Sequence, residues 1–122
     1  MTSGTPFEQG KIFLADIPFT DLSDTKRRPV IVISNNLYNS SGRDLVVLAI
    51  TSNSKEREHT IPIDNNSMSQ GSLPKVSKIK ADHIIKLSKT IIAKELGIVK
   101  LEVLRSAISE FKSVIDIMQA NP

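Results

Sequence analysis

A chain of 122 residues with 16 Lys and Arg against 13 Asp and Glu has the length of one domain with one real core, and its net charge of +3 is mild. It has no cysteine, which excludes disulfides, thiolate metal sites and a cysteine nucleophile. Met1 to Gln9 lacks the basic and apolar stretches of a signal peptide, and no apolar run reaches the length of a membrane helix. These features predict a soluble, cytoplasmic protein with no membrane partner, built as a flexible tail over residues 1–9 and a single domain over 10–122.

Gly10 opens the first apolar run, Lys11 to Ile17, which Pro18 closes. Phe19 to Lys26 is polar, with Asp and Ser at turn-favouring places, and reads as a loop. Arg27-Arg28-Pro29 then leads into Val30-Ile31-Val32-Ile33. Pro29 fixes its own φ and pushes Arg28 toward extended geometry, so the arginine is expected at the mouth of a strand. The four β-branched residues after it do not alternate with polar ones, the pattern of a strand buried on both faces. Leu45 to Ile50 has the same character and ends in Thr51-Ser52-Asn53. The polar stretch Asn35 to Asp44 can reverse the chain between the two strands. Antiparallel pairing across it would set Arg28 and Thr51 at one end of the sheet.

Ser54 to Glu58 is charged with mixed sign and must be solvated. His59 to Asp64 places Ile61 and Ile63 on one face, and Pro62 restricts it to an edge strand. Asn65 to Ser72 reads as a turn-rich connection. Val76 to Leu87 is expected to be extended, with Ile79 and Ala81 on one face and Lys78, Lys80 and Asp82 on the other, and with a bulge where the period breaks at Ile84-Ile85. Thr90 to Val99 is one more short strand with a turn near Gly97. From Lys100 the period becomes helical: Leu101, Leu104, Ile108, Phe111, Ile115 and Met118 recur at spacings of three and four, with no Ser, Thr or Asp at the expected N-cap. The fold class is therefore mainly β with a C-terminal helix (α+β), a small curved antiparallel sheet or partly open barrel. Six lysines lie between Lys75 and Lys94 against the single acid Asp82. Such a run suits a polyanionic partner, or equally a solvated edge that resists aggregation.

Gly10-Lys11-Ile12-Phe13-Leu14-Ala15-Asp16-Ile17-Pro18-Phe19-Thr20-Asp21, Lys26-Arg27-Arg28-Pro29-Val30-Ile31-Val32-Ile33-Ser34 and Leu48-Ala49-Ile50-Thr51-Ser52 resemble, in order and spacing, the MazF/PemK-like toxins of bacterial toxin–antitoxin modules. The likeness runs over roughly residues 10 to 120. It departs at Lys11, where many relatives carry an acid, and at Ser77 to Lys80, which lacks the Glu-Gln of some members. The resemblance implies an SH3-like barrel of the PemK/CcdB type, a homodimer, metal-independent cleavage of single-stranded RNA, neutralisation by a cognate antitoxin, and DNA binding in company with that antitoxin. It places the family's catalytic arginine on Arg28 and its threonine on Thr51. Gly71 to Lys75 looks like the family's pre-strand segment, and Ser77 to Lys80 takes the place of its next strand, which borders the RNA groove.

RNA brings its own nucleophile, the 2′-hydroxyl, so no cofactor is required of the protein. What the enzyme must supply is positive charge and oriented donors for a crowded, dianionic phosphorus. A guanidinium fork at Arg28 and a fixed hydroxyl at Thr51 suit that task, but guanidinium is a poor base, and the general base stays unassigned. Composition alone allows a plainer reading, a surface Arg28 paired with Asp21 or Asp24 and a strand-end Thr51 bonding its own backbone. Ser52 and His59 are auxiliary candidates; Arg27, Lys75, Ser77, Lys78 and Lys80 are candidates for RNA contact. No metal ligands are expected, since no His, Asp or Glu pair has ligand spacing on a recognisable element. The alternatives to a nuclease are a non-catalytic nucleic-acid or peptide-binding module and a gyrase-directed toxin of the same fold.

Overall fold

Val30, Ile31 and Val32 are fully buried, and alternation sends them to opposite sides of one sheet. Ile31 joins Ile12, Leu48, Ile50 and Ile79 in one core, while Val30 and Val32 join Phe13, Ala15, Leu45 and Val47 in a second. The computed structural model describes residues 6–18 and 25–118. Its strands are β1 (Lys11–Pro18), β2 (Thr25–Val32), β3 (Asp44–Thr51), β4 (Thr60–Ile63), β5 (Met68–Gly71), β6 (Ser77–Ser88) and β7 (Ile92–Val99), with helices α1 (Asn36–Ser41) and α2 (Leu101–Ile115). They form one antiparallel sheet in the order β4-β6-β3-β2-β1-β7-β5, curled as a half-barrel around the first core and closed by α2. The expected class, mainly β with a terminal helix, is the one observed.

Several local expectations are corrected. Residues 1–5 of the expected tail lie outside the described residues, and 6–9 are not loose: Phe7 packs on Phe13 with ring centroids 5.6 Å apart and planes tilted by 46°, and its carbonyl accepts from Asn39 Nδ2 at 2.7 Å. The Asn35–Asp44 connection contains α1, capped by the Asn35 side chain, which accepts from the Tyr38 N–H. Asn39 on that helix is buried, and its amide also donates to the Ser34 carbonyl at 2.8 Å. Ser69 and its neighbours are strand, not turn, because β5 finds a partner in β7 that is distant in sequence. The lysine run disperses: Lys86 pairs with Asp44, and Lys89 donates to the Gly42 carbonyl at the end of α1. On α2 the buried stripe is Leu104 and Ala107, flanked by Val103, Ile108 and Phe111, whereas Leu101 and Ile115 are exposed, as is Met118, which lies beyond the helix. The helix has no side-chain N-cap, as the sequence implied.

Pro29 decides where β2 and β3 separate. The Gly10 N–H donates to the Val32 carbonyl on the β1 side, and the Ile33 N–H donates to Val46 on the β3 side. Counting back by alternation, Pro29 faces β3, where it has no proton to donate. The β2–β3 ladder runs over Val30↔Ala49, Ile31↔Leu48 and Val32↔Val47 and stops there. Arg28 is consequently inside β2, still paired with Ala15 of β1, and not at the strand's mouth. On the other side of β3 the register jumps from Leu48↔Ile84 to Ala49↔Lys80, so the bulge is Ala81, Asp82 and His83, not the expected Ile84-Ile85, which pair regularly with Leu48 and Val47. The freed Ala81 N–H bonds the His59 carbonyl at 2.9 Å.

Gly97 lies within β7, not in a turn, and has φ of +153°. A Cβ there would stand 2.1 Å from the Gln70 carbonyl oxygen, and one on Gly71 would stand 2.1 Å from that of Leu96. The β5–β7 crossing therefore admits glycine only. Gly97→Ala is expected to cost about 2 kcal/mol or more, read as a fall in the urea midpoint at constant slope.

His59 has a left-handed φ of 59° and ties the edge strand to the helix, with Nδ1 2.8 Å from Glu110 Oε2. An ionised carboxylate only accepts, so Nδ1 carries the proton. This bond, with the nearby charges of Glu110, Asp82 and Glu58, raises the His59 pKa above its ordinary value of about 6.5. Stabilisation from a raised pKa is complete below the unfolded value and is lost as pH rises through the folded one. Glu110→Gln should therefore lower Tm more at pH 5.5 than at pH 8.5; an equal loss at both would count against the pair.

Candidate active site

Continuing the β2–β3 register past its last pair sets Arg28 against Thr51, on the same face as Val30 and Ala49. Because the ladder has ended, the gap between them is open. It forms part of a cleft of about 580 Å³. Lys26, Arg27, Arg28 and Pro29 line it from β2, and Ile50 and Thr51 from β3, followed by Ser52 and Asn53. Leu73, Pro74 and Lys75 form the facing wall, with Ser77 at the start of β6 and Leu14 of β1 at the base.

The residues named from sequence divide as follows. Arg28, Thr51, Ser52, Arg27, Lys75 and Ser77 all border this cleft. Lys78 borders a smaller cavity beside it, and its ammonium donates to the Lys55 carbonyl at 3.1 Å. Lys80, half-buried between Ala49 and Thr60, borders neither. His59 is held against α2 by Glu110 and is not in the cleft wall. Ser77 is buried, and its hydroxyl donates to the Lys75 carbonyl at 2.9 Å, a role that shapes the wall. Asp21 and Asp24, the partners considered for Arg28, lie outside the described residues.

Arg27 is not simply solvated. Its Nε donates to Asp16 Oδ1 at 2.9 Å, from the directly paired position on β1. That hydrogen bond first, and the Arg27 charge with it, holds the Asp16 pKa below the usual carboxylate range, and the reciprocal effects raise that of Arg27. The Lys75 ammonium has neither an ion pair nor a hydrogen bond among the described residues.

Thr51 Oγ1 accepts from the Asn53 N–H at 3.1 Å, and Asn53 Oδ1 in turn accepts from the Lys55 N–H at 2.9 Å. These bonds fix the chain as it leaves β3. They occupy a lone pair of Thr51 and leave its proton available for donation. The plain strand-end bond and a donor role are thus compatible in one side chain. The described lining carries four cations, two hydroxyls besides buried Ser77, one carboxamide, and no carboxylate or imidazole. Such a cleft suits an anion in which charge develops, and its described side chains include no carboxylate or imidazole to accept a proton. Among the described residues no three His, Asp or Glu converge to hold a metal.

Sequence reasoning passed over Lys26, Asn53, Leu73 and Pro74. Lys26 was assigned to a loop, and the other three acquire their place only when the β5–β6 connection folds across the end of β3.

Residues 8–115 match the model of the PemK-like, MazF-like toxins of type II toxin–antitoxin systems. No curated protein sequence is significantly similar to the chain. Among solved structures, an endoribonuclease in complex with its cognate antitoxin from a mycobacterial species superposes with a TM-score of 0.73 at 18% identity, covering 95% of this chain and 100% of that one. MazE–MazF from Deinococcus radiodurans gives 0.71 at 21% identity, over 90% and 95% of the two chains. The Mycobacterium tuberculosis toxin MazF-mt6 gives 0.70 at 16% identity, over 89% and 99%. Those identities speak for the fold, whereas the family match extends over nearly the whole domain and includes both sides of the cleft. The chain belongs to the PemK-like, MazF-like toxins of type II toxin–antitoxin systems.

Proposed function

We propose that the protein is an endoribonuclease that cuts single-stranded RNA without a metal cofactor, acts as a homodimer, and is silenced by a cognate antitoxin. The observation that carries this reading is the composition of the cleft: Arg28, Lys75 and the Thr51 hydroxyl converge on one opening whose described lining has no acid. The similar structures that contain an antitoxin, and the exposed Val114, Ile115, Ile117 and Met118 at the end of α2, support the assembly side.

In this mechanism the 2′-oxygen of the substrate attacks phosphorus, the P–O5′ bond breaks, and a 2′,3′-cyclic phosphate and a 5′-hydroxyl remain. The 2′-proton leaves to solvent or to a group still to be assigned, and a proton reaches the departing O5′. Arg28 neutralises two phosphoryl oxygens as a planar fork, and Thr51 donates to the oxygen on which charge grows. Lys75 holds an adjoining phosphate by charge alone. Ser52 is a second hydroxyl within reach of the same opening, and Arg27 adds field while remaining bound to Asp16.

Arg28→Ala and Thr51→Ala are each expected to lower the cleavage rate about a hundredfold or more. The circular dichroism spectrum should stay native, since Arg28 is exposed and neither residue belongs to a core. Arg28→Lys should fail almost as badly, because lysine keeps the charge and loses the fork. Parental cleavage by a folded Arg28→Ala would remove the assignment, and poisoning of gyrase with intact RNA would replace it. Products bearing 5′-phosphate would exclude attack by the 2′-oxygen. Separately, Lys75→Ala should weaken binding to all single-stranded RNAs alike and reduce the slope of log affinity against log salt by about 0.7, the value for one contact to a single strand.

A further inference from the structure

Val76 is 75% exposed between two cleft-wall residues, Lys75 and Ser77, and nothing in the fold covers it among the described residues. With Pro62 it lines a cavity of about 340 Å³ that adjoins the cleft and shares Ser52, Asn53 and Ser77 with it. The rim carries the Asn53 carboxamide, the Ser54 hydroxyl and the Lys78 ammonium. Lys78 gives one proton to the Lys55 carbonyl, and an ammonium has three. Two aliphatic walls with a polar, cationic rim, continuous with an anion-binding cleft, match one occupant: an unpaired nucleobase whose own phosphate lies toward the cleft. Among the described residues, no aromatic ring borders this cavity for stacking, the usual way to hold such a base. Phe7 and Phe13 pack on each other, Phe111 packs on the core, and Tyr38 belongs to α1.

We infer that this side cavity binds the base of a nucleotide next to the cut phosphate, holding it between Pro62 and Val76 with its edge toward Asn53 and Ser54. The inference rests on the endoribonuclease reading and adds a selective step to it. A base can enter only when it is out of a helical stack, so a paired strand is refused at the cavity and not only at the cleft. Preference at this position follows the fit of the base and not charge, since the walls are aliphatic.

The test is a binding cycle. The probe is a ten-nucleotide single-stranded RNA spanning a mapped cleavage site with a 2′-deoxy sugar at the cut, or, if the wild type cuts nothing, the sequence recovered by selecting binders from a random RNA pool. Val76→Ser should weaken binding about threefold or more, with the salt slope unchanged. Removing one base next to the cut position, or one base of the selected sequence, should weaken wild-type binding similarly, and Val76→Ser should then cost nothing further. A penalty that persists against every single-abasic probe overturns the cavity while leaving the nuclease intact. Coupling to one base without any cleavage supports the cavity and removes the nuclease. An RNA pool that is neither bound nor cut removes both.

Discussion

The molecule depends on a missing proton. A sheet strand normally continues its ladder until its neighbour ends, but Pro29 has no N–H to offer β3 on the side it faces. β2 and β3 are bonded tightly through Val30, Ile31 and Val32 and then part. The candidate catalytic pair sits at that parting, with Arg28 on one lip and Thr51 on the other. Proline in a central strand is ordinarily a defect. Here the defect makes an opening without giving up the strand, because β2 remains paired with β1 as far as Thr25.

An opening in a sheet is useful only if its edges are rigid, and the packing on both faces provides that. Val30 and Val32 are locked in one core and Ile31 in the other, so the backbone that carries Arg28 cannot rock toward either side without creating a cavity. The β3 lip is fixed differently, by the successive bonds from Asn53 N–H to Thr51 and from Lys55 N–H to Asn53. The far wall is fixed by the Ser77 hydroxyl on the Lys75 carbonyl and by Asn65, whose side chain accepts from the Leu73 N–H at 2.7 Å. Long cationic side chains thus project from three short, immobile backbones.

What sequence reveals here is what depends on neighbours along the chain. The buried character of Val30 to Val32, the edge position of β4 set by Pro62 and the uncapped start of α2 all follow from local residue chemistry. The adjacency of Arg28 and Thr51 was legible because consecutive strands tend to pair. Long-range effects were not legible. β5 looks like a turn because its strand character comes from β7, and Gly97 looks like a turn residue because its need for glycine comes from Gly71 across the crossing. His59, an auxiliary candidate from its place beside an edge strand, is turned to the helix by the bond to Glu110, fifty-one residues away. Polar hubs were the other gap. Asn39 is buried, and its amide donates to Phe7 and Ser34, a role that no periodicity encodes.

The sheet order places β1, the first strand, between β2 and β7, the last. This arrangement bears on the order in which the fold can close during synthesis. Arg28 and Thr51 emerge from the ribosome early, but the wall that faces them comes from Leu73 to Lys75, and β1 lacks one of its two neighbours until Val99 has been added. Contacts that span most of the chain are the slow ones to form. The sheet therefore stays incomplete on one side of β1 until β7 follows the six strands before it.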